Sequence, residues 1–218
     1  MENDIYWKQN KMYNPKDDKQ PAIHVYGCGS IGSHTVMALA KIGFKDIHVY
    51  DYDKVEEDNI PAQFFCLMSE GLKTDALYAL VKDFTEIDIT VHNGKIDEKF
   101  EPDTAIDAIH ILAFDNMEAR KIVYNKLKGY PIHLLDGRIG GWSYEIYYVD
   151  CSNSKNPKYE RSMEGEFSND ECGLKTLWIV NSTISAKIVS YVLKIVKDAD
   201  VPSVLKGNMM SEIMIVGE

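Results

Sequence analysis

Six residues near the start of the chain, Gly27-Cys28-Gly29-Ser30-Ile31-Gly32, have a spacing that can hold an anion. Glycines at the first, third and sixth positions let the backbone turn tightly and approach a phosphate closely. They follow a strand-like run, Ile23-His24-Val25-Tyr26, and open a helical stretch with Ile31, Val36, Leu39, Ala40 and Ile42 on one face. A helix that starts on such a loop presents unpaired N–H groups and positive potential to an anion. Asp51 stands twenty-two residues after Gly29, just past the next strand-like run, Asp46-Ile47-His48-Val49-Tyr50. A carboxylate there can accept hydrogen bonds from ribose hydroxyls. The combination points to a nucleotide. It does not separate NAD from ATP, and a plain glycine turn beside a solvated aspartate is the bland alternative.

Further residues extend the set. Asp53, Asn59 and Gln63 follow Asp51, Lys73 follows Gly71-Leu72, and Asp115-Asn116 follow Phe114, with Arg120 four residues on. Singly, Lys73 reads as a solvated helix lysine and Asp115 as the N-cap of the next helix. As an ordered set they carry more. The 51–64 segment resembles the D-x-D-x-V-x-x-S-N-L-x-R-Q-x stretch of the ThiF/MoeB/ubiquitin-activating family. Gly71-Leu72-Lys73 resembles its G-x-x-K element, and Phe114-Asp115-Asn116 with Arg120 its D-N-x-x-x-R element. The likeness runs from about Ile23 to Asn125, roughly half the chain.

The resemblance implies ATP and Mg²⁺ as cofactors and adenylation of a carboxylate as the reaction. The acceptor it suggests is the C-terminus of a ubiquitin-like or sulfur-carrier protein. Gly27, Gly29 and Gly32 would shape the nucleotide loop and Asp51 would hold the ribose. Asn59 and Lys73 would contact phosphates and Asp115 would bind the metal. Ser30, Ile31, Asp53, Gln63 and Asn116 complete the implied cofactor-binding set. A homodimer is expected on the same ground.

One position departs from the family. Ala62 stands where the family carries an arginine that faces the phosphates, and the N-terminal arm holds no arginine either. The chain has three arginines, Arg120, Arg138 and Arg161. Arg138, in Leu134-Leu135-Asp136-Gly137-Arg138, is the candidate replacement, because it is expected just past a strand's C-terminal end, where ligands sit in open α/β sheets. A turn arginine bound to Asp136 is the alternative. Cys172, ahead of the last helix, is the candidate acyl acceptor. A packed thiol is the favoured reading of it, although a helix N-terminus would lower its pKa.

Behind these residues the pattern alternates strands and helices, which gives an α/β, Rossmann-like ThiF-type fold. It is expected to be mostly parallel, with helices on both faces and an antiparallel extension at the edge. Residues 1–21 read as a polar arm and 22–218 as one ATP-binding domain, with 150–174 as a long mobile crossover loop. Helices are expected at 72–84, 117–127 and 176–197, and strands at 87–91, 109–113, 132–135 and 212–216. The 142–149 run is expected to be an antiparallel edge strand, with Tyr144, Tyr147 and Tyr148 packing there.

Composition excludes several classes. A formal net charge of −10 leaves no basic footprint for nucleic acid. Cys28, Cys66, Cys151 and Cys172 form no C-x-x-C pair, so neither a structural zinc nor a disulfide framework is expected. Cys28 is expected to fill space beside the nucleotide, and the histidines are expected to be core or surface residues. No membrane span or signal peptide is read, and the expected location is the cytoplasm. Two rival functions stay open: a non-catalytic nucleotide-binding module, and an NAD-dependent oxidoreductase resting on the glycine loop and Asp51 alone.

Overall fold

The computed structural model describes residues 4–164 and 176–217. Strands β1 (Ile23–Tyr26), β2 (Ile47–Asp51), β3 (Thr90–Asn93) and β4 (Ile109–Leu112) run parallel in the order β3-β2-β1-β4, and β5 (His133–Gly140) joins β4 in parallel. Every residue of β1 and β4 is buried, because helices cover both faces of this sheet. Helices α1 (Gly32–Ile42), α2 (Lys73–Thr85) and α5 (Trp178–Val196) pack on one face. Helices α3 (Met117–Leu127) and α4 (Pro157–Ser162) pack on the other.

Period-two alternation sets the register. Ile23, Val25, Ile109 and Ile111 join Val36, Leu39, Leu77 and Ile188 in an aliphatic layer, whereas His24, Tyr26 and His110 face the other way. A fully buried aliphatic side chain contributes about 1.5–3 kcal/mol. A one-residue slip would swap rings for aliphatics on both faces, so the register is strongly fixed.

Helix α1 ends where Gly43 takes φ 103° and its N–H reaches Leu39 O and Ala40 O. A Cβ there would lie 2.4 Å from Pro15 Cγ, so the arm is pressed against this cap. Gln9 Nε2 donates to Ile42 O at 2.7 Å, and Tyr13 stacks on Phe44 with ring centroids 4.8 Å apart.

The antiparallel part is larger than expected. Strand β6 (Ser143–Asp150) is not the edge, because β7 (Val204–Asn208) and β8 (Ile213–Gly217) add beyond it, completing an eight-stranded sheet among the described residues. Tyr144 is accordingly buried, its ring occupying the space a side chain on Gly207 would need. The segment expected to be a loop over 150–174 contains α4, anchored by buried Tyr159 and Met163. Strand β3 begins three residues later than expected, and β5 runs on to Gly140. Helix α5 is long and apolar enough to cross a bilayer by composition, yet its Val180, Ile184, Ile188 and Val192 are buried in the protein.

Candidate nucleotide-binding site

The parallel strands β1, β2, β3 and β4 all end at one edge of the sheet, and the loops leaving them wall a cavity of about 810 Å³. That volume falls in the range of cofactor and small-ligand sites. Its position also follows the rule for open α/β sheets, where ligands bind outside the strands' carboxyl ends.

The glycine loop forms its floor. Gly27 has φ 98°, and a Cβ on it would sit 2.8 Å from Ala113 O. A Cβ on Gly32 would lie 1.7 Å from Gly27 O, so this glycine shapes the loop from behind without lining the cavity. A Cβ on Gly29 would meet nothing within 4 Å. Gly29, Ser30 and Ile31 line the cavity, and no side chain caps α1 at Ile31. The first-turn N–H groups therefore have no capping side chain competing with a bound anion. Ser33 locks the loop, with Oγ donating to Gly29 O at 2.6 Å and accepting from Phe64 N at 2.9 Å.

Asp51 organises the adjacent wall. Its two oxygens accept from Cys28 N at 2.6 Å and Asp53 N at 2.8 Å. A carboxylate has about four acceptor positions, so lone pairs remain for a hydroxyl. The Cys28 side chain points into the core and does not line the cavity, contrary to expectation; burial pushes its thiol pKa well up.

Lys73 is the first residue of α2 and is buried, with Nζ 3.3 Å from Asp53 Oδ2 and its N–H on Asp53 O at 2.8 Å. Two contacts to one residue fix the lysine at the cavity wall, so it is not a solvated helix lysine. Asn59 and Gln63 line the same wall, and Asn59 Oδ1 accepts from Glu56 N at 3.1 Å. Ala62 also lines it, its carbonyl taken by His34 Nε2 at 3.1 Å and Asn181 Nδ2 at 2.7 Å.

Opposite, Asp115 is exposed and has no hydrogen bond among the described residues. It is not the helix cap. Asn116 caps α3, its Oδ1 accepting from Glu118 N at 2.8 Å and Ala119 N at 3.3 Å. Among the described residues, seven acidic side chains line the cavity against four basic ones, Lys73, Lys95, Arg120 and Arg138. A triphosphate in such a wall needs a divalent ion to offset repulsion, and the uncommitted Asp115 carboxylate is a hard oxygen donor of the kind Mg²⁺ takes. No group of three or more potential ligand side chains occurs among the described residues, so phosphate oxygens and water would supply the other ligands.

Arg138 reaches the cavity from inside β5, not from beyond the strand end as expected. It is buried and donates Nε and Nη2 to Asp136 Oδ2 at 2.9 and 2.7 Å. Its guanidinium lies 4.5 Å from the centre of the Tyr147 ring. Cys172 lies outside the described residues.

Some of the wall carried no motif. Residues 94–98, leaving β3, line the cavity, and so do Met117 and Ile122, which add apolar surface suited to a base. The sequence signal for residues 94–98 is positional: a fourth parallel strand ends beside the other three. Strand register also assembles histidines that show no spacing in sequence. His110, His24, His48 and His92 stack in series, with centroid separations of 4.7, 4.6 and 5.5 Å. Burial, and then neighbouring His48, lowers the His24 pKa to about 4; burial, and then His24, lowers that of His110 to about 3.

Comparison with known proteins agrees with this geometry. The family model described as "ThiF family" matches residues 16–212. Ubiquitin-like modifier-activating enzyme 5 of Drosophila simulans is 29% identical over 120 residues, 48% of this chain and 30% of the relative. SUMO-activating enzyme subunit uba-2 of Caenorhabditis elegans is 31% identical over 135 residues, 60% and 23% of the two chains. The chain thus spans less than a third of the length of these curated relatives. Escherichia coli MccB, solved with AMPCPP and MccA, superposes with a TM-score of 0.78 at 15% identity, covering 100% of this chain and 72% of that one. The same protein solved with ATP gives a TM-score of 0.72 at 17% identity, covering 96% and 64%. At such identities the structural likeness is one of fold. The extent of the family match, with the glycine loop, Asp51 and Lys73 around one cavity, makes the chain a member of the ThiF family.

Proposed function

We propose that this chain binds Mg·ATP in the cavity and adenylates a carboxylate, that of a ubiquitin-like or sulfur-carrier protein's C-terminus. The observation that carries the reading is the convergence of the glycine loop, Lys73 and the uncommitted Asp115 on a single cavity. Names of relatives support it, being activating enzymes for ubiquitin-like proteins, as do the ATP- and AMPCPP-containing MccB structures.

In this reading the α1 N-terminus and the Gly29–Ile31 N–H groups hold phosphate oxygens, and Asp51 orients the ribose. Lys73 adds positive charge where the phosphates lie. Asp115 would hold a magnesium ion, which would offset phosphate charge and so let an anionic carboxylate approach. The substrate carboxylate oxygen attacks the α-phosphorus, the α–β bridging P–O bond breaks, and pyrophosphate leaves with that electron pair. The product is an acyl adenylate. Asp53 positions Lys73 through the 3.3 Å ion pair without donating or accepting a reacting proton.

The test is isotope exchange between pyrophosphate and ATP, with candidate carrier proteins that end in a free or an amidated C-terminus. Exchange confined to the free carboxylate is expected. Exchange that ignores amidation contradicts carboxylate activation. Exchange is also expected to survive Cys172→Ser, because adenylation precedes any transfer to a thiol. Cytoplasmic location and a homodimer belong to the same proposal. The exposed Leu177, Trp178 and Ile179 on one helix end support a contacting surface, and sedimentation tests it.

A second reading has a specific observation behind it. With Ala62 in place of an arginine and Arg138 bonded to Asp136, phosphate-facing cations are few. A non-catalytic nucleotide-binding module would bind Mg·ATP yet show no exchange with any carboxylate.

A further inference from the structure

The geometry points to Asp136 as a positioning residue that couples the docking of α4 to the placement of Asp115, an inference that rests on the proposed reading of Asp115. Asp136 is fully buried on β5, among three groups from three directions. Its Oδ2 accepts from Arg138 and, at 3.1 Å, from the Tyr159 hydroxyl of α4. Its Oδ1 is ion-paired with the Arg120 guanidinium of α3. Each of the two arginines carries the connection one step further. Arg138 Nη1 donates to Ser162 O at 3.0 Å and Nη2 to Ser162 Oγ at 3.1 Å, a second hold on α4. Arg120 Nη2 donates to Phe114 O, the carbonyl immediately before Asp115, and to Gly137 O at 3.1 Å.

One carboxylate therefore touches α4 directly and through Arg138, and reaches the Asp115 turn through Arg120. Helix α4 is only six residues long and sits in an otherwise polar segment. Such a helix is not stable alone, and these contacts hold it in place. Loosening α4 removes acceptors from Arg138 and from the Asp136 cluster, and the Arg120 hold on Phe114 O must readjust. Linkage makes the effect reciprocal: a ligand held at Asp115 has to stiffen α4. A buried ion cluster that only stabilised the core would not transmit in this way.

Hydrogen–deuterium exchange resolves the matter, using Tyr159→Phe and Ser162→Ala. Tyr159→Phe removes the hydroxyl's bond to Asp136, Ser162→Ala removes the Oγ bonds to Arg138 and to Tyr159 O, and both keep the ions, whereas Asp136→Asn removes the buried charge shared by two guanidinium groups and endangers folding. Without ligand, Tyr159→Phe is expected to speed exchange in residues 114–119 as well as 157–162. Acceleration confined to 157–162 overturns the coupling, whatever the protein binds. With Mg·ATP, the unsubstituted chain is expected to gain protection in 157–162, and Tyr159→Phe to need roughly tenfold more Mg²⁺ for the same ATP binding. Equal Mg²⁺ dependence in both variants and the parent also overturns it. Failure of the parent to bind Mg·ATP refutes the nucleotide reading alone, since the ligand-free comparison still decides the coupling.

Discussion

Two glycines of one loop should respond oppositely to the same added methyl group. On Gly29 a Cβ meets nothing within 4 Å and φ lies outside the left-handed region, so Gly29→Ala fits the folded chain. Replacing glycine by alanine where the backbone permits stabilises by about 0.4–1 kcal/mol, by restricting the unfolded chain. For a chain of this length that raises Tm by about 1–4 °C. The open space is the cavity itself, so the methyl stands where a phosphate oxygen would approach. Losing one charge-assisted hydrogen bond removes about 1.5–3 kcal/mol, or roughly 10- to 150-fold in ATP affinity. On Gly32 the Cβ would lie 1.7 Å from Gly27 O and 2.8 Å from Gly27 C, backbone atoms that cannot swing aside. Overpacking of that kind costs about 3 kcal/mol, so Gly32→Ala should melt about 6–12 °C lower. Scanning calorimetry paired with ATP titration checks both variants. Tighter or unchanged ATP binding by a well-folded Gly29→Ala would mean that no phosphate approaches the loop, and the site assignment would be wrong.

Asp115→Ala is expected to abolish Mg²⁺-dependent ATP binding with little change in Tm, because that side chain is exposed, whereas Asn116→Ala loses about 1 kcal/mol as the true cap; denaturant melts separate them. Arg138→Ala breaks a buried ion pair held by two hydrogen bonds to one carboxylate oxygen, so a loss of about 3 kcal/mol is expected by urea unfolding, and an unchanged midpoint would contradict the pairing. Stability is expected to fall in acid. His24 and His110 have folded pKa values of about 4 and 3, below the usual 6.5, so the unfolded chain takes up protons first as pH drops. The stability they provide is full above about pH 6.5 and declines through pH 4, with His24 accounting for up to about 3 kcal/mol. His110→Gln should flatten that decline in urea melts, and an unaltered slope would exclude the stack as its source.

The features legible in sequence are those whose residues are neighbours along the chain. The glycine loop and Asp51 stand out by spacing, Lys73 and the Asp115-Asn116 pair by their resemblance to the ThiF-family elements, and α3 by its apolar period. What stayed hidden depends on register. Residues 94–98 join the cavity only because β3 pairs with β2, and the four stacked histidines come from four strands. Helix α4 has little apolar periodicity, because Tyr159 and Met163 anchor it by tertiary contact. Strand β7, Val-Leu-Lys-Gly-Asn, carries glycine in mid-strand, where the Tyr144 ring lies, and so lacks a strand signature. Asp136 falls just past the strand expected at 132–135, and its burial follows from β5 continuing to Gly140.

The most direct measurement is a calorimetric titration of the purified chain with ATP, with and without Mg²⁺, against NAD under the same conditions. Mg²⁺-dependent ATP binding is expected, at least tenfold tighter than any NAD binding, and lost in Lys73→Ala and Asp115→Ala. NAD binding equal to or tighter than Mg·ATP would contradict an ATP site in this cavity and turn the glycine loop and Asp51 over to a dinucleotide.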